Sequence, residues 1–126
     1  MPSSKKNTTK HNKLQSGHHY EELAALFFEQ KGFHLLDKNW RSGKKEIDLV
    51  VANDSLIVFV EVKSTSTDKF GHPAEKVDRK KIINITETAR QYLIEKKIKN
   101  LDLRFDVITF IRGKLEHYPN AFEAIE

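Results

Sequence analysis

Hydrophobic and polar positions alternate most clearly between Lys45 and Lys63. Two β-rich runs, Lys45 to Ala52 and Leu56 to Lys63, flank the polar stretch Asn53-Asp54-Ser55, which predicts an antiparallel hairpin. Because side chains alternate along a strand, Ile47, Leu49 and Val51 share one face in the first run, and Glu46, Asp48 and Val50 the other. In the second run Leu56, Val58, Val60 and Val62 share one face; Ile57, Phe59, Glu61 and Lys63 share the other. A two-residue turn at Asn53-Asp54 sets Ala52 opposite Ser55, Glu46 opposite Glu61, and Asp48 opposite Phe59, diagonal to Glu61. Opposed and diagonal neighbours lie ~5 Å and ~7–8 Å apart, close enough for two carboxylates to hold one cation.

Around this hairpin the periodicity changes to helical. From His18 to Lys31, ending at Gly32, Tyr20, Leu23, Ala24, Ala25, Phe27 and Phe28 form one arc. Glu21 borders that arc, while Glu22 and Glu29 point away. Phe33 to Asp37 predicts a short strand. Ser64 to Pro73 reads as a loop beside the hairpin, suited to a substrate flap. Asp78 caps a second helix reaching Lys97, whose core face carries Ile82, Ile85, Ala89, Tyr92 and Leu93. Leu101 to Phe110 and Leu115 to Tyr118 predict two more strands, joined by a turn at Arg112-Gly113.

Composition narrows the class. A chain of 126 residues with 38% hydrophobic and 32% charged content suits one globular domain. It has no long apolar run, so neither a membrane span nor a secretory leader is expected. The absence of cysteine excludes disulfides and thiolate catalysis and agrees with a cytoplasmic protein. The formal charge of +4 belongs to residues 1–16, which hold Lys5, Lys6, Lys10 and Lys13 and no acid. This stretch is expected to be a disordered basic tail, with residues 17–126 forming the domain. Since the remainder is balanced, any nucleic-acid surface on the domain must come from segregated charge.

Asp48, Glu61 and Glu46 crowd one side of strands that otherwise look buried, and unpaired buried charge is costly. A divalent metal would relieve that repulsion. The competing reading is a wet outer face decorated by a Glu61–Lys63 pair, against which stand the apolar Val50, Ile57 and Phe59. His18 and Glu21 have a zinc-like spacing, but no second ligand pair accompanies them. Arg41, Lys44 and Lys45 surround Trp40, a residue that either stacks on a base or packs on the core rim. Arg79, Lys80 and Lys81 occupy the first turn of the second helix, where cations oppose the helix dipole; a phosphate partner would account for them.

Asp48 followed by Glu61-Val62-Lys63 resembles the PD-(D/E)XK nuclease superfamily. More narrowly, the chain resembles the bacterial YraN-like family, which is similar to archaeal Holliday-junction resolvases. The resemblance extends over Gly17 to Ala24, Asn39-Trp40-Arg41, Glu46 to Leu49, Phe59 to Lys63, Phe70-Gly71, Arg104 to Val107 and Asn120 to Phe122. The chain departs from it at Tyr20, usually glycine, at Lys45, usually small, and at Thr65, commonly arginine. The resemblance implies an α/β fold with a restriction-endonuclease-like αβββαβ core, a mixed sheet flanked by helices. It also implies a Mg²⁺-dependent endonuclease acting on DNA, branched or structured, with Mn²⁺ able to substitute. Asp48, Glu61 and the Val62 carbonyl would hold the metal, Glu21 a second metal or a metal-bound water. Lys63 would be the catalytic lysine, while Asp106 and His117 are structural. Cutting two strands would call for a homodimer. A non-catalytic nucleic-acid-binding module and a protein-interaction domain that keeps the fold are the alternative expectations.

Overall fold

The computed structural model describes residues 8–66 and 78–125. Seven elements follow one another: α1 (Thr8–Gln30), β1 (His34–Ser42), β2 (Lys45–Ala52), β3 (Leu56–Thr65), α2 (Arg79–Glu95), β4 (Asp102–Ile111) and β5 (Lys114–Phe122). The strands form one mixed sheet in the order β1-β2-β3-β4-β5. Only β3 and β4 run parallel, and α2 is the crossover that joins them, as parallel neighbours require. The helices cover opposite faces. Ala24, Ala25 and Phe28 of α1 pack on Leu49, Val51, Val58, Val60, Ile108 and Phe110. Ile85, Ala89 and Tyr92 of α2 pack on Val50, Ala52, Ile57, Phe59 and Phe105. The central strands are therefore buried on both faces, which is why their sequences are almost continuously apolar.

The helical arc read from the sequence is the buried one, with Glu22 and Glu29 exposed as expected. The boundary at the start of α1 differs: the helix begins at Thr8, inside the stretch expected to be a disordered tail. Polar composition there hid the helix because no apolar face marks its first turns. Strand β1 likewise runs on through Trp40 and Arg41 to Ser42, well past the expected end at Asp37. Trp40 packs on the core rim, edge-on to Tyr92 at 5.1 Å. Gly43, at φ 64, is the first of two turn residues between the paired Ser42 and Lys45, where a tight hairpin favours a positive φ. Arg112 and Gly113 form the expected second turn, both with positive φ.

The register of the β2–β3 hairpin differs from the two-residue expectation. The pairs are Ala52–Ile57, Val51–Val58, Val50–Phe59 and Leu49–Val60. Asn53 is the cause: its side-chain oxygen accepts from the backbone N–H groups of both Ser55 and Leu56, each at 2.9 Å. That turn holds four residues, Asn53 to Leu56, rather than two. The slip spans two positions and so does not itself move any side chain to the other face, but Glu46 no longer faces Glu61 and Asp48 no longer faces Phe59.

Candidate active site

The site forms where β2 and β3 part. Their ladder ends at Leu49–Val60. Continued by one pair, it would set Asp48 against Glu61. Instead, the Asp48 carboxylate accepts the Val62 backbone N–H at 2.8 Å. The N–H and C=O of one strand residue point the same way, so the Val62 carbonyl also faces the Asp48 side, away from β4.

Alternation reverses here as well. Ile47 was expected to share a face with Leu49 and Val51; it packs instead with Val50 and Ala52 on the α2 side. Opposite this reversal, between the Lys38–Leu49 and Trp40–Ile47 pairs, stands Asn39 with φ 53. Asparagine tolerates that left-handed conformation better than most residues. Its side-chain amide donates to Glu21 Oε1 at 2.8 Å, so the irregular point of β1 fixes the acid arriving from α1. Asn39 carried no predicted role, because the strand read from the sequence ended at Asp37 and left it outside.

The acids fall into three environments. Burial, then the neighbouring Glu61, and more weakly Glu21 and Glu46, push Asp48 up to about 7, although the Val62 N–H opposes the rise. Glu61, with a side chain only 13% exposed, is paired with Lys81 of α2. Glu46, the third acid expected at the site, turns to Arg41 at 3.2 Å across β1–β2. Lys63 follows Glu61 on the same strand, and burial with the nearby Lys81 charge lowers its pKa, while Glu61 and Asp78 act in the opposite sense. Among the described residues, no three carboxylate or imidazole side chains converge as a ready metal cage. What Asp48, Glu61, Glu21 and the Val62 carbonyl offer is a few hard oxygen donors, the chemistry magnesium prefers when water completes its shell.

The predicted basic residues are divided. Arg41 and Lys45 are spent on Glu46 and Glu87, and Lys81 on Glu61. Lys44, Arg79 and Lys80 are exposed. Asp78 caps α2 as expected, accepting from the Lys81 backbone N–H at 2.9 Å. The predicted flap lies outside the described residues from position 67 onward; before it, Thr65 closes β3. Away from the site, Asp106 is fully buried and takes Arg104 through both carboxylate oxygens at 2.7 and 2.8 Å. His117 at 2.7 Å and the Asn120 N–H at 2.9 Å complete its shell. This cluster ties β4 to β5.

A mixed five-stranded sheet with a helix on each face, and acids gathered where two central strands diverge, is a restriction-endonuclease-like α/β core. The chain belongs to the UPF0102 (YraN) family, a PD-(D/E)XK nuclease-like group. Residues 20–110 match that family, described as "Uncharacterised protein family UPF0102". The chain is similar to a UPF0102 protein of Sulfurihydrogenibium sp., 40% identical over 110 residues that cover 87% of this chain and 96% of the relative. A UPF0102 protein of Clostridioides difficile is 38% identical over 113 residues, covering 88% and 99%. One from Persephonella marina is 36% identical over 103 residues, covering 82% and 89%. No described helix is long and apolar enough to cross a membrane.

Proposed function

We propose that this chain is a magnesium-dependent endonuclease that hydrolyses DNA phosphodiester bonds, with branched or structured DNA as its substrate class. The observation that carries the reading is Asp48, seated between the parting ends of β2 and β3, bonded to the Val62 N–H and raised in pKa by burial and by Glu61. An acid that resists ionisation because it is buried, and because carboxylates lie beside it, gains most from a cation. Asp48, Glu61 and the Val62 carbonyl would hold Mg²⁺, or Mn²⁺ in its place, with Glu21 joining through water or a second ion. The ion would supply Lewis acidity at the phosphate and a more acidic water.

The chain's own part falls to Lys63. Its lowered pKa lets Nζ take a proton from the attacking water more readily than an ordinary lysine would. Still protonated, it would steady charge on the phosphate oxygens. Arg41, Lys44, Lys45, Arg79, Lys80 and Lys81 would meet the DNA backbone once phosphates compete for those already paired. Cutting both strands of a branched substrate would require a homodimer. A DNA substrate and a chain without cysteine accord with a cytoplasmic protein.

The Lys81–Glu61 pair favours a second reading, because it neutralises one proposed ligand without any metal. On that reading the chain binds nucleic acid and does not cut it. The test is a panel of duplex, single-stranded, flap and four-way DNA incubated with Mg²⁺, Mn²⁺ or EDTA. Metal-dependent cleavage of any member supports the nuclease. Salt-sensitive binding without cleavage supports the second reading, and neither binding nor cleavage overturns both.

A further inference from the structure

Lys81 was grouped by sequence with Arg79 and Lys80 as one basic turn, yet its surroundings set it apart. Its Nζ pairs with Glu61 Oε2, while its backbone N–H is fixed by the Asp78 cap. Its charge also bears on Lys63. One ammonium therefore stands beside both a proposed metal ligand and the proposed catalytic lysine. The side chain is still 45% exposed, whereas that of Glu61 is 13% exposed, so the lysine can leave while the carboxylate stays.

We propose that Lys81 is an exchangeable counter-cation: a divalent ion binding Glu61 displaces it, and the freed ammonium then takes a phosphate oxygen of the bound nucleic acid. The inference rests on the nuclease reading and adds a coupling that reading does not contain. Like charges explain the direction. A doubly charged ion on Glu61 outcompetes one ammonium and repels it, and the first turn of α2 already disfavours a cation through its dipole. With Glu61 occupied, a phosphate is the partner that restores the balance. Metal and nucleic acid should thus each strengthen the other's binding through this residue.

The experiment titrates Mn²⁺ by calorimetry into the full-length wild type, Lys81→Met and Lys80→Met. Lys80 is the control because it stands in the same turn, is exposed, and carries the same charge. Without its competitor, the Lys81→Met protein should bind Mn²⁺ roughly fivefold tighter than wild type, and the Lys80→Met protein within twofold of it. The second readout is affinity for a four-way DNA with and without Ca²⁺. Wild type should gain affinity on adding Ca²⁺, and Lys81→Met should lose most of that gain. Equal Mn²⁺ affinities in all three proteins, or an unchanged Ca²⁺ effect in Lys81→Met, would overturn the exchange while leaving the nuclease reading intact. Absence of Mn²⁺ binding in every protein would overturn both.

Discussion

Asp106 and Asp48 are both carboxylates beside the central sheet, and their neighbours push them in opposite directions. Burial raises Asp106, but His117, Arg104 and the Asn120 N–H together hold it below the ordinary value of 3.8. Asp48, raised first by burial, has only one N–H to oppose it and three acidic neighbours that add to the rise. The first pattern is structural support and the second is a demand for positive charge. A lowered folded-state pKa contributes stability at pH values above the unfolded value, and that stability is lost as pH falls through the folded value. Asp106→Asn should therefore cost about 3 kcal/mol in urea unfolding at neutral pH, since it leaves Arg104 without its counter-charge. The gap between wild type and variant should hold constant above the ordinary 3.8 and close only below it. A gap that narrows between pH 7 and 5 would show that another group carries the effect.

Strands and helices were legible where burial decides and obscure where a single polar side chain does. Alternation along β2 and β3 and the arc of α1 place most of the core correctly, because face depends only on period. Register depends on the turn, and there Asn53 Oδ1, by capturing two N–H groups, draws Ser55 and Leu56 into the turn on the β3 side. No hydrophobic pattern encodes that choice. The reversal at Asp48 has the same character: Asn39 in a left-handed conformation and a side chain replacing a ladder bond are events of one residue. Asp48, Glu61 and Lys63 were singled out by alternation and by the family resemblance, whereas the Asn39–Glu21 and Lys81–Glu61 pairs join positions distant in sequence. Asn53→Ala should cost about 1 kcal/mol, because two N–H groups lose their acceptor at an exposed turn. Urea titration gives the value, and an unchanged midpoint would mean the backbone turn holds the register unaided.

At the scale of the whole molecule, charge is segregated by pairing rather than by patch. Arg41, Lys45 and Lys81 each meet an acid, while the formal +4 resides in the first sixteen residues. The long-range attraction for DNA should accordingly come from that end of the chain. Because α1 begins at Thr8, truncation would cut the helix; replacing Lys5, Lys6, Lys10 and Lys13 with glutamine changes charge alone. The slope of log affinity against log salt should become shallower by about 0.9 for each phosphate that these lysines neutralise in the wild type. An unaltered slope would assign the attraction to the folded body.

In the proposed nuclease, the parting of β2 and β3 builds the hydrolytic site and Lys63 serves the chemical step. The decisive measurement is single-turnover cleavage of end-labelled four-way DNA at saturating protein with Mg²⁺, comparing wild type with Lys63→Ala. Wild type should cut, and Lys63→Ala should be slower by at least about 100-fold, with DNA affinity and the Mn²⁺-induced rise in melting temperature retained. Equal rates would remove Lys63 from the mechanism, and no cleavage by wild type on any DNA of the panel would contradict the nuclease itself.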